Sequence, residues 1–485
     1  MKLNELTSVL HTEKVTGDDT VTISDIASDS RKVTEGTLFV AIKGVTVDGH
    51  NYINKAVTQG AAAIVCEHMP DGLTQGVAIV VVPDTVDALG RLLNVWHGNP
   101  SERLMLVGVT GTNGKTTIAT LLYELFSRLG HKAGLLSTNC NYIDGDALPS
   151  THTTPDPVAL YSLVAQMADA GCEYVFMEVS SHAIDQQRIS GLTFRGGIFT
   201  NLTRDHLDYH QTVENYLKAK KTFFDRLPAT AFALTNVDDK SGNVMLQNTA
   251  AICRTYSLQK MADFRGRITE LNVDGAGLTI NGTAVQVHFT GRFNAYNLLA
   301  VYGAALLLGK RPNETLLALS ALRPVAGRFE TFVSPQGYTA IVDYAHTPDA
   351  LANVLDAIRI VVRRKIRIIT VVGAGGDRDK GKRPLMAQVA YIKSGLLILT
   401  SDNPRTENPA AILRDMLDGL DVYDRRRTLC IVDREQAIRT ATTLARKGDI
   451  ILIAGKGHET YQEIGGVKHP FDDREILKQI FATPS

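Results

Sequence analysis

The segment "LMLVGVTGTNGKTTIATLLYELFSRLG", residues 104–130, limits the folds open to this chain more than any other stretch. A short apolar strand runs through a glycine turn directly into a helix. That is the opening half of a βαβ unit, and such units build parallel sheets. The turn "TGTNGKTT" also carries Gly-Lys-Thr at the helix start. Backbone N–H groups and a helix N-terminus placed this way cradle phosphate oxygens. In this phosphate-loop arrangement Lys115 reaches the outer phosphates and Thr116 faces a magnesium ion. The strictest form of the motif has a glycine where this chain has Val109, so Gly111 is expected to supply the turn.

The alternation continues on both sides of this segment. At about 150 residues per domain, 485 residues suggest three domains. The pattern divides into blocks at 1–98, 99–328 and 329–485. The first has short strands in "TLFVAI" and "AIVVV", with a helix around "NYINKAVTQG". The second continues through the strands "EYVFMEV", "GGIFTNL" and "FALTNV" and closes with "NAYNLLAVYGAALLLG", read as an amphipathic helix. The third alternates again through "TAIVDY", "RIITVVG", "GLLILTS", "TLCIVD" and "IILIAG". The expected fold is therefore α/β. It comprises a small N-terminal α/β domain, a central P-loop domain on a parallel sheet, and a C-terminal Rossmann-like domain. Open parallel sheets bind ligands at the carboxyl ends of their strands, so the residues just after each strand are the functional candidates.

Composition narrows the function classes. Lys+Arg and Asp+Glu both number 51, which gives no basic footprint for nucleic acid or an anionic membrane. The five cysteines (Cys66, Cys140, Cys172, Cys253 and Cys430) are scattered and none forms a CxxC, which suits a reducing compartment. The N-terminus shows no apolar signal-peptide core, and no apolar run is long enough to span a bilayer. The expectation is a cytoplasmic protein without membrane insertion.

Three side chains stand out for their positions. Glu178 ends the buried-looking strand "EYVFMEV", where a carboxylate can face a magnesium ion or form a strand-end salt bridge. His206 lies in the turn-rich "TRDHLDYH", either as a ligand or as an ordinary structural histidine. Lys220 lies in "ENYLKAKKTFFDRL". At about 100° per residue it falls on the apolar stripe of Val213, Tyr216, Phe223, Phe224 and Leu227, while Lys218 and Lys221 point outward. An inward lysine can pair with an acid, or snorkel along the helix. It can also lose its proton to burial, after which the neutral amine can take up carbon dioxide as a carbamate.

The motifs "GTNGKTT", "MEVSSH", "TRDHLDYH", "GRFNAYN", "VDYAHTPD", "GGDRDKGKRP", "SDNPRTENP" and "AGKGHE", in this order, resemble those of the Mur ligase family over nearly the whole chain. The resemblance implies an ATP-dependent acid–amino-acid ligase that works through an acyl phosphate with Mg2+. It implies ATP contacts from Gly111, Thr112, Asn113, Gly114, Lys115, Thr116, Thr117, Asn294, Asn297, Arg328 and Asp343. Lys115, Glu178, His206 and Lys220 become the catalytic set. Thr116, Glu178, His206 and a carbamylated Lys220 become the metal ligands. A UDP-N-acetylmuramoyl dipeptide is expected at Ser28, Ser30, Val45, Thr46, Val47, Thr153, Thr154, Ser180, Gln186 and Arg188. The sequence departs from the family pattern at His152 and at Val45, Thr46 and Val47. "DNPR" implies that meso-diaminopimelate is the amino acid added, held by Arg378, Asp402, Asn403, Pro404, Arg405, Gly455 and Glu459. Arg405 is expected in a rigid turn near the N–H groups of a helix start, with either proline of "DNPRTENP" able to open that helix. A monomer is expected. The rival readings are a lysine-adding ligase, a folylpolyglutamate synthetase, a P-loop NTPase switch, or a nucleotide-binding module.

Overall fold

The structure is a computed structural model that describes residues 1–44, 47–70, 76–150, 152–272, 275–361 and 366–482. Among these residues the chain builds three main sheets and one small hairpin. Thr37–Val40, Ala63–Cys66 and Ala78–Val81 form the fully buried centre of a five-stranded N-terminal sheet. Asp25–Ala27 adds a parallel edge and Lys14–Thr16 an antiparallel one. The helix expected around "NYINKAVTQG" is a 3-10 turn at Gly49–Tyr52 that runs into an α-helix at Ile53–Thr58.

The central sheet has eleven strands. Its parallel heart, in spatial order, is Phe232–Asn236, Gly196–Phe199, Met105–Thr110, Tyr174–Glu178 and Ala133–Leu136. Four of the five are buried along their whole length, and Met105–Thr110 is buried after its first residue, as expected for strands covered by helices on both faces. The sheet continues on one side through Ile252–Ser257, Phe264–Asn272, Gly275–Ile280 and Thr283–Val287, the last two antiparallel. The periodicity of the sequence did not single out this extension.

The helix Arg292–Leu307 corrects one expectation. It is not amphipathic, because every residue from Leu298 to Ala305 is buried. It packs against the P-loop helix Lys115–Arg128, the sheet strands and the helix Pro312–Ala321, which leaves it little face for water. A helix apolar all round belongs inside a large core.

The C-terminal sheet orders its strands Glu330–Val333, Thr339–Asp343, Ile450–Ala454, Ile368–Val372, Leu396–Thr400, Thr428–Ile431. All pairs are parallel except the first. Its last helix, Asp473–Ala482, is pinned by a fully buried ion pair: Arg434 Nε and Nη2 donate to the two Asp473 oxygens at 2.8 and 2.7 Å. Arg434 Nη2 also donates to the Ala454 carbonyl at 3.1 Å.

Removing one partner of a buried ion pair strands the other charge, at a cost of about 3–5 kcal/mol, whereas apolar replacement of both is often neutral. Asp473→Ala should therefore destabilise the C-terminal sheet by about that much in urea unfolding. The double replacement Arg434→Met with Asp473→Leu should cost less than the single change.

Candidate active site

Parallel strands joined by crossover helices all end on the same edge. In the central sheet that edge carries Asn236, Thr200, the P-loop, Glu178 and Thr138; in the C-terminal sheet it carries Asp343, Gly455, Gly373 and Asp402. All line one cavity of about 620 Å3. The residues expected to hold ATP and those expected to hold the amino acid therefore face a shared space.

The P-loop is shaped by what presses on it. Gly111 has φ +147°, and a Cβ there would lie 1.8 Å from Thr200 Oγ1; Gly114 has φ +91°, and a Cβ there would lie 2.6 Å from Asn297 Oδ1. Glycine is required at both positions. Asn113 N–H donates to Asn201 Oδ1 at 2.9 Å, and Thr200 Oγ1 donates to the Asn113 carbonyl at 2.6 Å. Thr116 Oγ1 accepts from Arg328 Nη2 at 3.0 Å, and Thr117 also lines the cavity. Arg328 stacks on Tyr344, and its Nε is buried without a partner. Asn294 does not line the cavity. It sits behind Asn297, whose Nδ2 donates to Asn294 Oδ1 at 3.3 Å. Asp343 accepts from Phe329 N–H at 2.7 Å, and burial pushes its carboxyl up to about 6.

Two lysines converge on one carbonyl. Lys115 Nζ donates to the Gly111 and Thr112 carbonyls at 2.9 and 2.8 Å, and Lys220 Nζ donates to the same Gly111 carbonyl at 2.9 Å. Lys220 is 1% exposed, on the helix Val213–Asp225 with Tyr216, Phe223 and Phe224. Its Nζ lies 4.4 Å from the centre of the Tyr216 ring, and no ion pair to an acid is formed among the described residues. Burial first, then the Lys115 charge, pulls its pKa well below the ordinary lysine range. This geometry removes both the acid-paired and the snorkelling alternatives. The rest of the predicted helix face needs correction. Val213, the first residue of a helix capped by Thr212, is exposed, and Lys221 is not solvated, because it folds onto Asp225 and the Gln247 carbonyl.

Among the described residues Glu178 forms no salt bridge. Its Oε1 accepts from Thr138 N–H at 2.7 Å, while Oε2 is buried without a partner. An orphaned carboxylate oxygen beside a P-loop threonine suits a hard, oxygen-seeking cation. Among the described residues no group of three or more His, Cys, Asp and Glu side chains forms a ready cage. Such an ion would therefore draw on Glu178, Thr116 and phosphate oxygens. His206 Nε2 lies 3.4 Å from Asp205 Oδ2, and partial burial lowers the imidazole's pKa, which favours the neutral form able to ligate.

The residues assigned to the UDP substrate divide into groups. Thr154, Ser180, Gln186 and Arg188 form one connected set: Arg188 Nη1 donates to the Thr154 carbonyl at 2.9 Å and Nη2 to Gln186 Oε1 at 2.6 Å, and Thr154 Oγ1 donates to Ser180 Oγ at 3.3 Å. Thr153 lines the cavity and accepts from Thr138 Oγ1 at 3.1 Å. Ser28, Ser30 and Val47 do not line it; Ser30 opens a short 3-10 turn and Val47 is exposed. Val45 and Thr46 lie outside the described residues.

At the amino-acid end, Asn403 Nδ2 and the buried Lys456 Nζ both donate to Glu459 Oε2, at 2.8 and 2.7 Å. A Cβ on Gly455 would lie 2.4 Å from Asp402 Oδ2. Pro404 is buried in its loop, and the following helix starts at Pro409, capped by Asn408. Arg405 therefore sits before the helix rather than at its N–H groups, which corrects the expectation. Its Nη1 donates to the Gly376 carbonyl at 2.7 Å and its Nε lies 3.5 Å from Glu463 Oε2. Arg378 lines the same cavity.

Several cavity residues escaped the sequence reading. Asp349, whose Oδ2 accepts from Asn113 Nδ2 at 3.1 Å, and His346 both lie within "VDYAHTPD" and could have been picked from it. Asp238, Gln259 and Tyr296 come from separate segments, joined by hydrogen bonds of 2.8 and 3.0 Å through the Tyr296 hydroxyl; Tyr296 lies within "GRFNAYN" and could have been picked from it, whereas no local signal marks Asp238 and Gln259.

Three family profiles tile this architecture: the Mur ligase family catalytic domain over residues 22–97, the Mur ligase middle domain over 109–305, and the Mur ligase glutamate ligase domain over 327–457. The chain belongs to the Mur ligase family. Among members of the family, it is 66% identical over 483 residues to a protein of Parabacteroides distasonis, covering all of this chain and 99% of that one. It is 60% identical to one of Phocaeicola vulgatus, covering 99% and 100%. Both carry the name UDP-N-acetylmuramoyl-L-alanyl-D-glutamate–2,6-diaminopimelate ligase. A solved structure of that ligase superposes with TM-score 0.69 at 33% identity, covering 99% of this chain and 98% of that one. The ADP complex of the MurF ligase from Thermotoga maritima, 20% identical, shares the fold at TM-score 0.62, covering 95% and 98%.

Glu178→Gln keeps the acceptor for Thr138 and removes only the charge. It should leave folding intact but lower ATP turnover by about 10²-fold or more. Unfolding curves and phosphate release measure the two halves of this expectation.

Proposed function

We propose that this chain is an ATP-dependent ligase. It joins meso-diaminopimelate to the D-glutamate carboxylate of UDP-N-acetylmuramoyl-L-alanyl-D-glutamate, for peptidoglycan precursor synthesis. The observation that carries the reading is the shared cavity, with a P-loop on one side and the "DNPR" and "GKGHE" loops on the other, in a chain 66% identical over its full length to a ligase of that name.

The chemistry asks for cations and positioning rather than a protein nucleophile. The substrate carboxylate oxygen attacks the γ-phosphorus of ATP, ADP leaves, and an acyl phosphate results. The amine then attacks the carbonyl carbon, phosphate leaves with the bonding electrons, and the amine gives up a proton. Lys115 would release the loop carbonyls and turn to the phosphates. Arg328, already on Thr116, adds a second cation at the same edge. Mg2+, held by Thr116, Glu178 and His206, would supply charge neutralisation at the phosphates. Arg405 and Arg378 would take the substrate's carboxylates, and Glu459 its ammonium.

Lys220 has a specific role in this reading. The crowding of two ammonium groups on the Gly111 carbonyl favours loss of one proton, and the neutral Lys220 amine can then add carbon dioxide and release a proton. The resulting carbamate is an anion, so repulsion from Lys115 would become attraction, and its oxygens would join Thr116, Glu178 and His206 in holding Mg2+. The blocks 1–98, 99–328 and 329–485 would act as the UDP-substrate, ATP and amino-acid domains of a cytoplasmic monomer. A P-loop switch would have no use for a cavity shared with an arginine- and glutamate-lined pocket.

Phosphate should be released only when ATP, the UDP-dipeptide and diaminopimelate are all present, and lysine should substitute poorly. Release with ATP alone would point to the switch. Lys220→Ala should nearly abolish turnover while the protein stays folded, and added short-chain carboxylates should restore part of it. An unmodified lysine in fully active enzyme, by intact mass, would refute the carbamate.

A further inference from the structure

We propose that Glu407 is a positioning residue for amino-acid selection: it clamps the loop 373–381 against the loop 401–408 and so fixes where the Arg405 guanidinium points. This rests on the ligase reading above and deepens it.

Arg383 heads the helix Lys382–Lys393 with its side chain 1% exposed. Its Nη1 donates to Glu407 Oε2 at 3.0 Å and its Nη2 to Glu407 Oε1 at 2.7 Å, a two-point grip. The same guanidinium donates to Asp415 Oδ2 at 2.7 Å and to the Gly375 carbonyl at 3.2 Å. Glu407 Oε1 also accepts from Asp377 N–H at 2.6 Å, and Lys380 adds a longer contact at 3.4 Å. From the other loop, Thr406 donates to Asp377 through its N–H at 3.1 Å and its hydroxyl at 2.8 and 2.9 Å. Gly376 N–H donates to the Asn403 carbonyl at 2.9 Å.

These ties leave no slack, since a Cβ on Gly376 would lie 1.9 Å from the Pro404 carbonyl oxygen. The Arg405 guanidinium then has a fixed acceptor, the Gly376 carbonyl in the middle of the clamped loop. Asp377 and Arg405 both hold left-handed backbone, φ +53° and +51°. Non-glycine residues persist there only where their surroundings over-determine them. A guanidinium that selects a substrate carboxylate must be held to within a fraction of an ångström. Glu407 does not itself line the cavity. Its effect passes through Gly376 and Asp377 to Arg405 and the adjacent Arg378.

The test compares Glu407→Gln with Asp415→Asn in the full-length enzyme. Both weaken the support of Arg383, but only Glu407 ties that support to the loops. In Glu407→Gln, KM for diaminopimelate should rise by roughly 10-fold or more, and preference over lysine should fall, with KM for ATP unchanged. Asp415→Asn should lower the unfolding midpoint and leave both amino-acid readouts in place. The clamp is overturned if Glu407→Gln keeps KM and preference within about twofold, or if Asp415→Asn shifts them equally. Should Glu407→Gln not fold, Asp377→Gly carries the same expectations, because glycine accepts that φ without strain and removes both acceptors. Failure of the parent enzyme to use diaminopimelate would instead overturn the assignment of diaminopimelate as the amino acid, and leave the ligase reading in place.

Discussion

Parallel pairing is the constraint on which the rest of this molecule depends. A parallel strand cannot turn back by a hairpin, so each is followed by a crossover and all carboxyl ends collect on one edge. Here two such edges face each other across one cavity. The P-loop, Glu178 and Thr138 come from one sheet, and Asp343, Asp402 and Gly455 from the other. Neither sheet has the whole chemistry on its own edge.

Direct contacts hold the two edges in register. Asp349 of the C-terminal block accepts from Asn113, and Arg328, at the junction of the two blocks, donates to Thr116, so the P-loop is touched at two points from that direction. These contacts link the nucleotide end of the cavity to the loops that would hold the incoming amine. In the proposed reaction an acyl phosphate is a high-energy intermediate open to attack by water, and a cavity that brings both ends together would let the amine attack first.

Electrostatics within the P-loop follow from burial. Lys115 and Lys220 are drawn to one carbonyl oxygen with no ion pair to an acid among the described residues, and Glu178 keeps an unpaired oxygen in the same cavity. A fold would not keep buried charges so poorly compensated for stability alone. The imbalance has the signs that an incoming polyphosphate and cation would correct.

Much of this was legible in the sequence because it is local. The strand–turn–helix around Gly111–Thr117 and the inward face of Lys220 follow from periodicities set by backbone geometry over neighbouring residues. The order of strand and helix blocks likewise predicted parallel sheets. Other features depend on residues far apart in the chain. The antiparallel extension 264–287 pairs strands whose alternation is weak, and the helix Arg292–Leu307 looked amphipathic until the sheet and two helices closed around it. Arg405 was predicted from "DNPR", but its acceptor is Gly376, and its clamp runs through Arg383, Asp377 and Glu407, which no spacing rule connects. The sequence by itself determined the types of element and the chemistry carried at strand ends. Only the tertiary structure decided which charges are left unpaired and where each guanidinium points, because burial and hydrogen-bond partners depend on what distant segments bring into contact.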